Sequence, residues 1–479
     1  MRNGKMTTKH KGAGVKQSNR FGIGFLKKFN WLEPALFGAM LLVFIACAGY
    51  FATHLRRSII PDEPGYFYLS TLFATSWRLP EITDYSLALG LSKFDRLPYM
   101  YFWLNGRYLN LLSLVLPDVT EWQQLVFLRT INVIYAIFTV YFTHLLAKEF
   151  IQKVWWRLLV TFLMTSTLMF VFLSGGVSYD NLANLCAAAG ILFLVRALKG
   201  RRIITNSLLW IFAIGLGIMA KKTILPLALV TFIIWLIYII KNRHLVNLKS
   251  ELNWKFAIIA FFVLVIFGVN ASVYGVNLLK YREPIPDCTD LLPQQQCDLS
   301  VYVRRSKEMG FPEEKLTLRD VIEQQKTNPI NYIDEYWITR MLKTIYGIMG
   351  HKSYFPPLIA TFFHLLYLFV FILAIKYWQK REYAFYALVV ITLSYILAIM
   401  ISSYNEELMS DFRHVAVQGR YLFPVLGSFY VLVSHFISQI TNKWISKITL
   451  AYTLLLFTLG GPVMFLLVFA RTNAVGWFY

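Results

Sequence analysis

The sequence has few charged residues for its length, and acids are the scarcer kind. Only 15% of the 479 residues are charged, with 26 Asp and Glu against 47 Lys and Arg. Long apolar runs, each near the ~20 residues that a helix needs to cross a bilayer, accompany this low charge. Together these features exclude an ordinary soluble domain. The sequence therefore predicts an all-α integral membrane protein that crosses the bilayer many times.

Cysteine is equally sparse, with four residues in the chain. Cys47 and Cys186 lie within apolar runs and are predicted to be small buried residues. Cys288 and Cys297 flank a short polar loop, which indicates a disulfide if that loop faces an oxidising compartment. No second Cys or His pair with zinc spacing accompanies them, so a metal site is disfavoured there. We expect no metal cofactor, although a divalent ion held by nearby acids is an open alternative.

The N-terminus lacks the early apolar core and small-residue cleavage site of a signal peptide. Residues 1–33 instead carry eight Lys and Arg, which predicts a basic cytoplasmic tail. Apolar runs then follow, predicting about eleven transmembrane helices: 34–53, 124–146, 156–173, 181–197, 204–220, 223–240, 256–275, 355–375, 384–402, 421–439 and 448–470.

The net charge of +21 has an explanation in membrane topology rather than in nucleic-acid binding. With the N-terminus inside, the tail and the connections predicted to be cytoplasmic hold 24 of the 47 Lys and Arg, as the positive-inside rule requires. An odd number of spans places the C-terminus outside. The segments 54–123, 276–354 and 403–419 then face outward, so no nucleic-acid partner is expected.

The same map divides the chain into four parts. The basic tail 1–33 precedes an N-terminal transmembrane module, 34–275, whose first external loop is 54–123. An external segment, 276–354, has eleven basic and eleven acidic residues, a balance typical of a translocated domain. The remaining transmembrane helices lie in 355–479.

The first external loop opens with two adjacent acids, Asp62 and Glu63, between Pro61 and Pro64. Because proline cannot continue a regular helix, both carboxylates are predicted to lie at the membrane surface, where an acid/base group could meet a lipid-linked substrate. Apolar and aromatic residues recur at helical intervals behind them and predict interfacial helices. An amphipathic lid without chemistry is the alternative.

Basic residues are predicted at the same outer face. Lys221 and Lys222 fall between two apolar runs, against the charge bias of that face. Arg420 lies at the mouth of the tenth span, followed by Tyr421 and preceded by Gly419, which has no side chain and is expected to let a ligand approach its backbone. Such cations could bind a phosphate, and an arginine can do so with two hydrogen bonds. The alternative is that they are interfacial anchors that reach lipid headgroups.

Three further residues are weaker candidates for contacts with the substrate or its phosphate. Arg413 precedes the Arg420 segment, and Arg107 follows an Asn-Gly pair in the first external loop. Asp180 begins the fourth span after a Ser-rich turn, where it could cap the helix, orient a sugar hydroxyl or pair with a basic residue. All are predicted to share the outer face with Asp62.

Four motifs together resemble a known family. Residues 61–68 (PDEPGYFY), 177–181 (VSYDN), 222–226 (KTILP) and 418–424 (QGRYLFP) are similar, in order and spacing, to an uncharacterised bacterial family of membrane glycosyltransferases within the GT-C superfamily. The resemblance spans nearly the whole chain, and its specificity lies in the combination of motifs. One departure is Tyr66, which stands where many relatives have a histidine.

The resemblance implies a GT-C-like bundle and an inverting transfer of a sugar from a polyprenyl-phosphate carrier to a cell-surface glycan or lipid acceptor. It implies a bacterial cytoplasmic membrane protein with its active site on the external face, in contact with membrane lipids. Asp62 would be the general base, with Glu63 an alternative base or orienting acid. Lys222 and Arg420 would bind the carrier phosphate, a division of roles that suits these residue types.

Other classes of protein share some of these features. A transporter or flippase usually buries ionisable residues at mid-membrane and often has repeated halves, but few charges and no internal repeat are found here. A ligase or polymerase of lipid-linked glycans would need the same carrier and the same basic cleft. A structural scaffold would leave Asp62 and Glu63 without a role.

Overall fold

A computed structural model provides the fold of the chain. It describes residues 31–245, 251–311, 315–349, 352–353, 357–412 and 417–479. The basic tail predicted for 1–33 therefore lies almost entirely outside the described residues, as does Arg413.

Long apolar helices make up most of the described chain. Ten of them are long and apolar enough to cross a membrane, and an eleventh is present if one bent pair is counted as a span. This confirms the predicted all-α membrane architecture of about eleven helices. The ten are Leu32–His54, Glu121–Phe150, Tyr179–Leu198, Ile203–Ala220, Lys222–Lys241, Trp254–Tyr281, Ile359–Lys376, Tyr383–Met409, Gly419–Ser438 and Lys443–Thr472.

The run predicted as a single helix over 156–173 is broken. It forms the helices Val154–Ser166 and Leu168–Ser174, whose axes differ by 62°. Thr167 between them has an extended backbone, and its buried hydroxyl hydrogen-bonds with that of Tyr430 at 2.6 Å. The bend is therefore stabilised by a contact with a distant helix, which a local pattern of hydropathy does not reveal.

The helix Tyr179–Leu198 is the most buried of the spans and lies at the centre of the bundle. It packs against Glu121–Phe150, Ile203–Ala220 and Gly419–Ser438. Three of these four helices have an end next to one of the predicted outer motifs: Tyr179–Leu198, Ile203–Ala220 and Gly419–Ser438. Their packing thus gathers those motifs at one end of the bundle.

The first external loop contains three helices, Glu63–Ala74, Asp84–Ala88 and Met100–Val115, and a 3₁₀ turn at Phe94–Arg96. The first and third pack closely, because Gly106 has no side chain. A Cβ atom there would lie 2.6 Å from the backbone carbon of Phe73. The helices predicted from the aromatic pattern are therefore present.

The segment after Tyr281 is a set of short elements. Its helices are Cys288–Leu291, Gln294–Cys297, Val301–Glu308, Leu318–Glu323, Pro329–Asn331 and Ile338–Tyr346, followed by the paired strands Ile348–Met349 and Lys352–Ser353. A disulfide joins Cys288 and Cys297, whose Cα atoms are 5.8 Å apart. Cys47 and Cys186 are free and buried, as expected.

Contacts among the connections define two ends of the bundle. At one end, the ring of Tyr302 lies against Gly90 of the first loop, and the side chain of Asn277 donates to the carbonyl of Arg96 at 3.0 Å. At the other end, Arg157 pairs with Glu33, and Lys199 pairs with Glu149 and Glu382. We call the first the acid-loop end.

Candidate active site

Asp62 lies in a turn with an unusual backbone conformation. It immediately precedes the helix Glu63–Ala74, and its backbone is left-handed, with φ 64° and ψ 1°. Such a conformation costs a residue with a side chain roughly 1–3 kcal/mol, although Asp tolerates it better than most. Pro64 lies within the first helical turn, where a missing N–H costs nothing. The prolines thus frame the start of a helix, with Asp62 just outside it.

Arg420 binds Asp62 directly. Its Nη2 donates to Asp62 Oδ2 at 2.7 Å, although the two residues are separated by more than 350 positions. The arginine side chain is only 4% exposed, whereas the Asp62 side chain is 43% exposed. Arg420 Nε and Nη1 form no hydrogen bond within the part of the chain that is described. Arg420 therefore anchors an accessible carboxylate while retaining buried donor capacity.

Gly419 does not have the role that its sequence position suggested. We expected it to let a ligand approach the backbone. Instead, its N–H donates to Thr344 Oγ1 at 2.6 Å, and a Cβ atom there would lie 2.8 Å from the backbone nitrogen of Ile345. The glycine is needed because the 3₁₀ turn Gly419–Leu422 packs directly on the helix Ile338–Tyr346.

Asp180 and Lys221 form a second, deeper ion pair. Asp180 also accepts from Ser178 Oγ at 3.1 Å, and its Oδ2 lies 3.7 Å from Arg420 Nη1. The hydroxyl of Ser178 accepts from the Asp180 N–H and so caps the helix. Of the three roles considered for Asp180, pairing with a basic residue is the one that the structure shows.

The four side chains form a row of alternating charge, Asp62, Arg420, Asp180 and Lys221. The structure therefore brings together four of the residues predicted to share the outer face. Tyrosine rings surround the row: the ammonium of Lys221 lies 4.9 Å from the ring centres of both Tyr179 and Tyr421. Three of the charged side chains are buried, and Asp62 is accessible.

Tyr66 is the tyrosine that contacts Asp62. Its hydroxyl donates to Asp62 Oδ2 at 3.5 Å, and its ring lies 4.5 Å from that of Tyr179. Burial raises the pKa of Tyr66 well above its usual value, and the charge of Asp62 raises it further. The hydroxyl is therefore protonated at neutral pH and acts as a donor to the carboxylate.

Lys221 and Lys222 point to different environments. Lys221 is buried and paired with Asp180, whereas Lys222 is exposed and begins the 3₁₀ turn Lys222–Ile224. No ion pair to Lys222 is formed by the described residues. The two lysines look alike in sequence, but the side chain of Lys221 is engaged and that of Lys222 is exposed.

Glu63 faces away from Asp62, into the protein. Its carboxylate receives two hydrogen bonds from Arg129, 2.8 Å from Nε and 2.5 Å from Nη2, and a third from the backbone N–H of Val177 at 3.0 Å. The residue is 1% exposed. This environment favours a structural role over the role of an alternative base.

Arg107 lies outside the charged row. It donates to the backbone carbonyls of Phe73 and Ser76 and lies over the ring of Trp77, 4.3 Å from its centre. These contacts tie the helix Met100–Val115 to the end of Glu63–Ala74. Arg107 is thus used within the first loop, and no contact among the described residues joins it to Asp62.

Sequence reasoning missed Arg129, the partner of Glu63. The available signal was a single arginine inside the apolar run 124–146. An ionisable residue at such a position is costly unless it is paired, so it predicts a buried partner. Tyr302 was also missed. It belongs to the disulfide-containing segment; burial raises the pKa of its hydroxyl above the usual value, and the charge of Asp62 raises it further.

The acids of the site do not form a recognisable metal centre. Across the described ranges, no group of three or more His, Cys, Asp or Glu side chains is arranged to hold an ion. Asp62 and Asp180 are each bonded to a cationic side chain instead.

No protein-family model and no curated protein matches the chain. Solved structures do resemble it. ArnT from Cupriavidus metallidurans in the apo state is 14% identical, with a TM-score of 0.46 over 87% of this chain and 61% of that one. ArnT bound to undecaprenyl phosphate is also 14% identical, with a TM-score of 0.44 over 88% and 61%.

The oligosaccharyltransferase AglB from Archaeoglobus fulgidus, in complex with an inhibitory peptide and a dolichol-phosphate, is 13% identical, with a TM-score of 0.42 over 90% of this chain and 56% of that one. The chain thus spans about three fifths of the length of these proteins. Because the TM-scores lie below 0.5, these likenesses do not assign an activity to this chain. Membership of the narrower bacterial family stays a prediction.

The two adjacent lysines provide a test of the charged row. Lys221→Ala removes one member of a buried ion pair and leaves Asp180 without its ammonium partner, so we expect a loss of about 3–5 kcal/mol in stability. Lys222→Ala is the matched control, because an exposed side chain without an ion pair contributes within about 0.5 kcal/mol. Thermal unfolding of both variants in detergent measures the difference. Equal unfolding temperatures would contradict the buried pair.

Proposed function

We propose that the protein is an inverting glycosyltransferase that moves a sugar from a polyprenyl-phosphate carrier to a hydroxyl of a glycan or lipid acceptor. The observation that carries this proposal is the contact between Asp62 and Arg420. It places an accessible carboxylate beside a buried guanidinium whose Nε and Nη1 receive no hydrogen-bond acceptor from the described residues, at one end of a membrane helix bundle. A base for an acceptor and a binding group for a phosphate are thereby adjacent.

Asp62 is the proposed general base. Its carboxylate accepts the proton of the acceptor hydroxyl while the acceptor oxygen bonds to the anomeric carbon of the sugar. The bond from that carbon to the phosphate oxygen breaks, and polyprenyl phosphate leaves with the electron pair. Arg420 and Tyr66 both donate to Asp62 Oδ2, which fixes the orientation of the carboxylate.

The surroundings of the acids support a single displacement with inversion. A retaining mechanism needs a second carboxylate that can attack the anomeric carbon. Glu63 has both oxygens bonded to Arg129, and Asp180 is bonded to Lys221 and Ser178. Asp62 is therefore the accessible acid among these three, and it serves as base rather than as nucleophile.

Arg420 and Lys222 are the proposed phosphate ligands. Among the described residues, Nε and Nη1 of Arg420 have no hydrogen-bond acceptor, and charge-assisted bonds to phosphate are strong in a buried site. Lys222 adds an exposed ammonium close in sequence to the paired Lys221. Lys221 is already neutralised by Asp180, so we assign it to maintaining the site rather than to binding the donor.

We propose that the reaction needs no metal ion. The charge that develops on the departing phosphate would be stabilised by preorganised cationic side chains, which act strongly where water is excluded. The paired state of Asp62 and Asp180 supports this assignment, because each carboxylate already has a cationic partner.

We also propose that the acid-loop end faces the external side of a bacterial cytoplasmic membrane, with the N-terminus inside. Two observations support this orientation. The disulfide Cys288–Cys297 requires an oxidising compartment and belongs to the segment that contacts the first loop. The opposite end carries the connections that are rich in Lys and Arg.

Replacement of the base tests the chemistry. Asp62→Asn keeps the size of the side chain but removes proton acceptance, so kcat should fall by about 10²–10⁴-fold. The measurement is release of free polyprenyl phosphate by purified protein with a panel of polyprenyl-phosphate sugars. Asp84→Asn, which changes an exposed acid of the same loop, is the control and should retain wild-type activity. Full activity of Asp62→Asn, or direct use of a nucleotide sugar, would refute the mechanism.

Replacement of the exposed lysine tests donor binding. Lys222→Ala should raise KM for the lipid-linked donor about tenfold, the equivalent of ~1.4 kcal/mol, since it removes one contact to the phosphate. KM for the acceptor should not change. Steady-state kinetics with each substrate varied in turn measures both constants. An unchanged donor KM would exclude Lys222 as a phosphate ligand.

Thiol labelling in intact cells tests the orientation. A membrane-impermeant maleimide should label the chain only after an impermeant reductant has opened the Cys288–Cys297 disulfide. The control is Cys288→Ser combined with Cys297→Ser, which leaves only the buried Cys47 and Cys186 and should remain unlabelled. Labelling that requires permeabilised cells would place the acid-loop end inside and contradict the proposal.

A further inference from the structure

Two acid-bearing segments of the proposed site converge on one buried ion pair. Arg129, in the helix Glu121–Phe150, donates Nε and Nη2 to the two carboxylate oxygens of Glu63. Glu63 Oε1 also accepts from the backbone N–H of Val177. Glu63 directly follows Asp62, and Val177 lies three residues before Asp180. One carboxylate thus joins the backbones that carry both acids of the charged row.

The remaining donors of Arg129 fix the chain on the other side of Asp62. Nη1 donates to the carbonyls of Ala52 at 3.2 Å and Leu55 at 2.7 Å, where the helix Leu32–His54 ends. Nη2 also reaches the carbonyl of Arg56 at 3.4 Å. The Arg129 side chain has no exposed surface. A single guanidinium therefore holds the chain before and after the left-handed turn at Asp62.

Neighbouring polar side chains add further contacts between the same segments of the chain. Asn132, one helical turn beyond Arg129, accepts at Oδ1 from the hydroxyl of Tyr101 and from the side chain of Asn181. Asn181 is the neighbour of Asp180. The helix Glu121–Phe150 thus contacts the first loop and the Asp180 turn through Arg129 and Asn132, which lie one helical turn apart.

We propose that Arg129 and Glu63 form a positioning pair that holds Asp62 and Asp180 in the geometry needed for transfer. This inference rests on the proposed function, because positioning is defined relative to Asp62 as base. Neither member touches a reacting atom, since both are buried and fully engaged. The pair acts through the two backbone segments that it joins. Turnover is therefore expected to depend on Arg129.

The test uses a neutral replacement of the whole pair in the full-length protein. Glu63→Gln combined with Arg129→Gln leaves no isolated buried charge but removes the bidentate contact and most of the carbonyl contacts. We expect kcat to fall about a hundredfold, as misplacement of a catalytic group by about 1 Å can cause, with the donor KM within twofold of wild type. Amide hydrogen exchange should become faster in both 58–66 and 176–181.

A matched pair at the opposite end of the bundle is the control. Arg157 binds Glu33 with the same two-nitrogen geometry, far from Asp62. Glu33→Gln combined with Arg157→Gln should therefore leave kcat and exchange in 58–66 and 176–181 unchanged. Because Arg157 and Glu33 are less buried, the unfolding temperatures of both double variants are compared as well. A fall in kcat that exceeds the accompanying loss of stability indicates a positioning role.

Each result bears on the inference. If wild type transfers sugar but the Glu63 and Arg129 double variant keeps kcat within twofold, the positioning role is wrong. If the double variant does not fold, Arg129→Lys replaces it, since lysine keeps the charge but cannot span Glu63 and the carbonyls together; wild-type kcat in that variant would overturn the inference. If wild type transfers no sugar, the proposed function is wrong. Independently of activity, faster hydrogen exchange in only one of the segments 58–66 and 176–181 would show that the pair does not hold both segments.

Discussion

Arg420 is the charge on which the organisation of the acid-loop end depends. A guanidinium with 4% exposure is costly to bury unless carboxylates lie close to it, and Asp62 and Asp180 supply them from segments far away in sequence. Lys221 then compensates Asp180. Removing any one member leaves its neighbours unbalanced. Charge neutrality therefore links four helix ends that apolar packing alone would only bring near one another.

This row of charges also limits which groups are available for chemistry. An ion pair that is buried and satisfied is a poor catalyst, because its oxygens and donors are already engaged. Asp180, Lys221 and Glu63 are in that state, whereas Asp62 has an exposed side chain, and two nitrogens of Arg420 have no hydrogen-bond acceptor within the described part of the chain. The site thus separates residues that maintain the geometry from residues that can contact a substrate.

Most of the fold followed from the sequence, because hydropathy is a local property. Spans and their alternation could be counted, and the alternation put Asp62, Asp180, Lys221 and Arg420 at one end. Their contacts could not be derived, since these depend on helix packing. The bend at Thr167, for example, depends on a hydroxyl contact with Tyr430, more than 260 residues away.

The errors of detail share one cause, which is side-chain direction. Lys221 and Lys222 look alike in sequence, but a helix ends at the first and a 3₁₀ turn begins at the second, so one is buried and the other exposed. Arg107 was expected to face a substrate, yet its helix directs it to the carbonyls at the end of Glu63–Ala74. Gly419 was expected to admit a ligand, but packing on Ile345 explains it.

The backbone conformation explains why the adjacent acids Asp62 and Glu63 have different environments. The chain changes direction at Asp62, whose backbone is left-handed, and a helix begins at Glu63. Neighbouring carboxylates can therefore face opposite ways, one toward Arg420 and the exterior, the other toward Arg129 and the core. If both faced outward, their like charges would repel and the turn would have no anchor. One acid is fixed so that the other can remain exposed at a defined place.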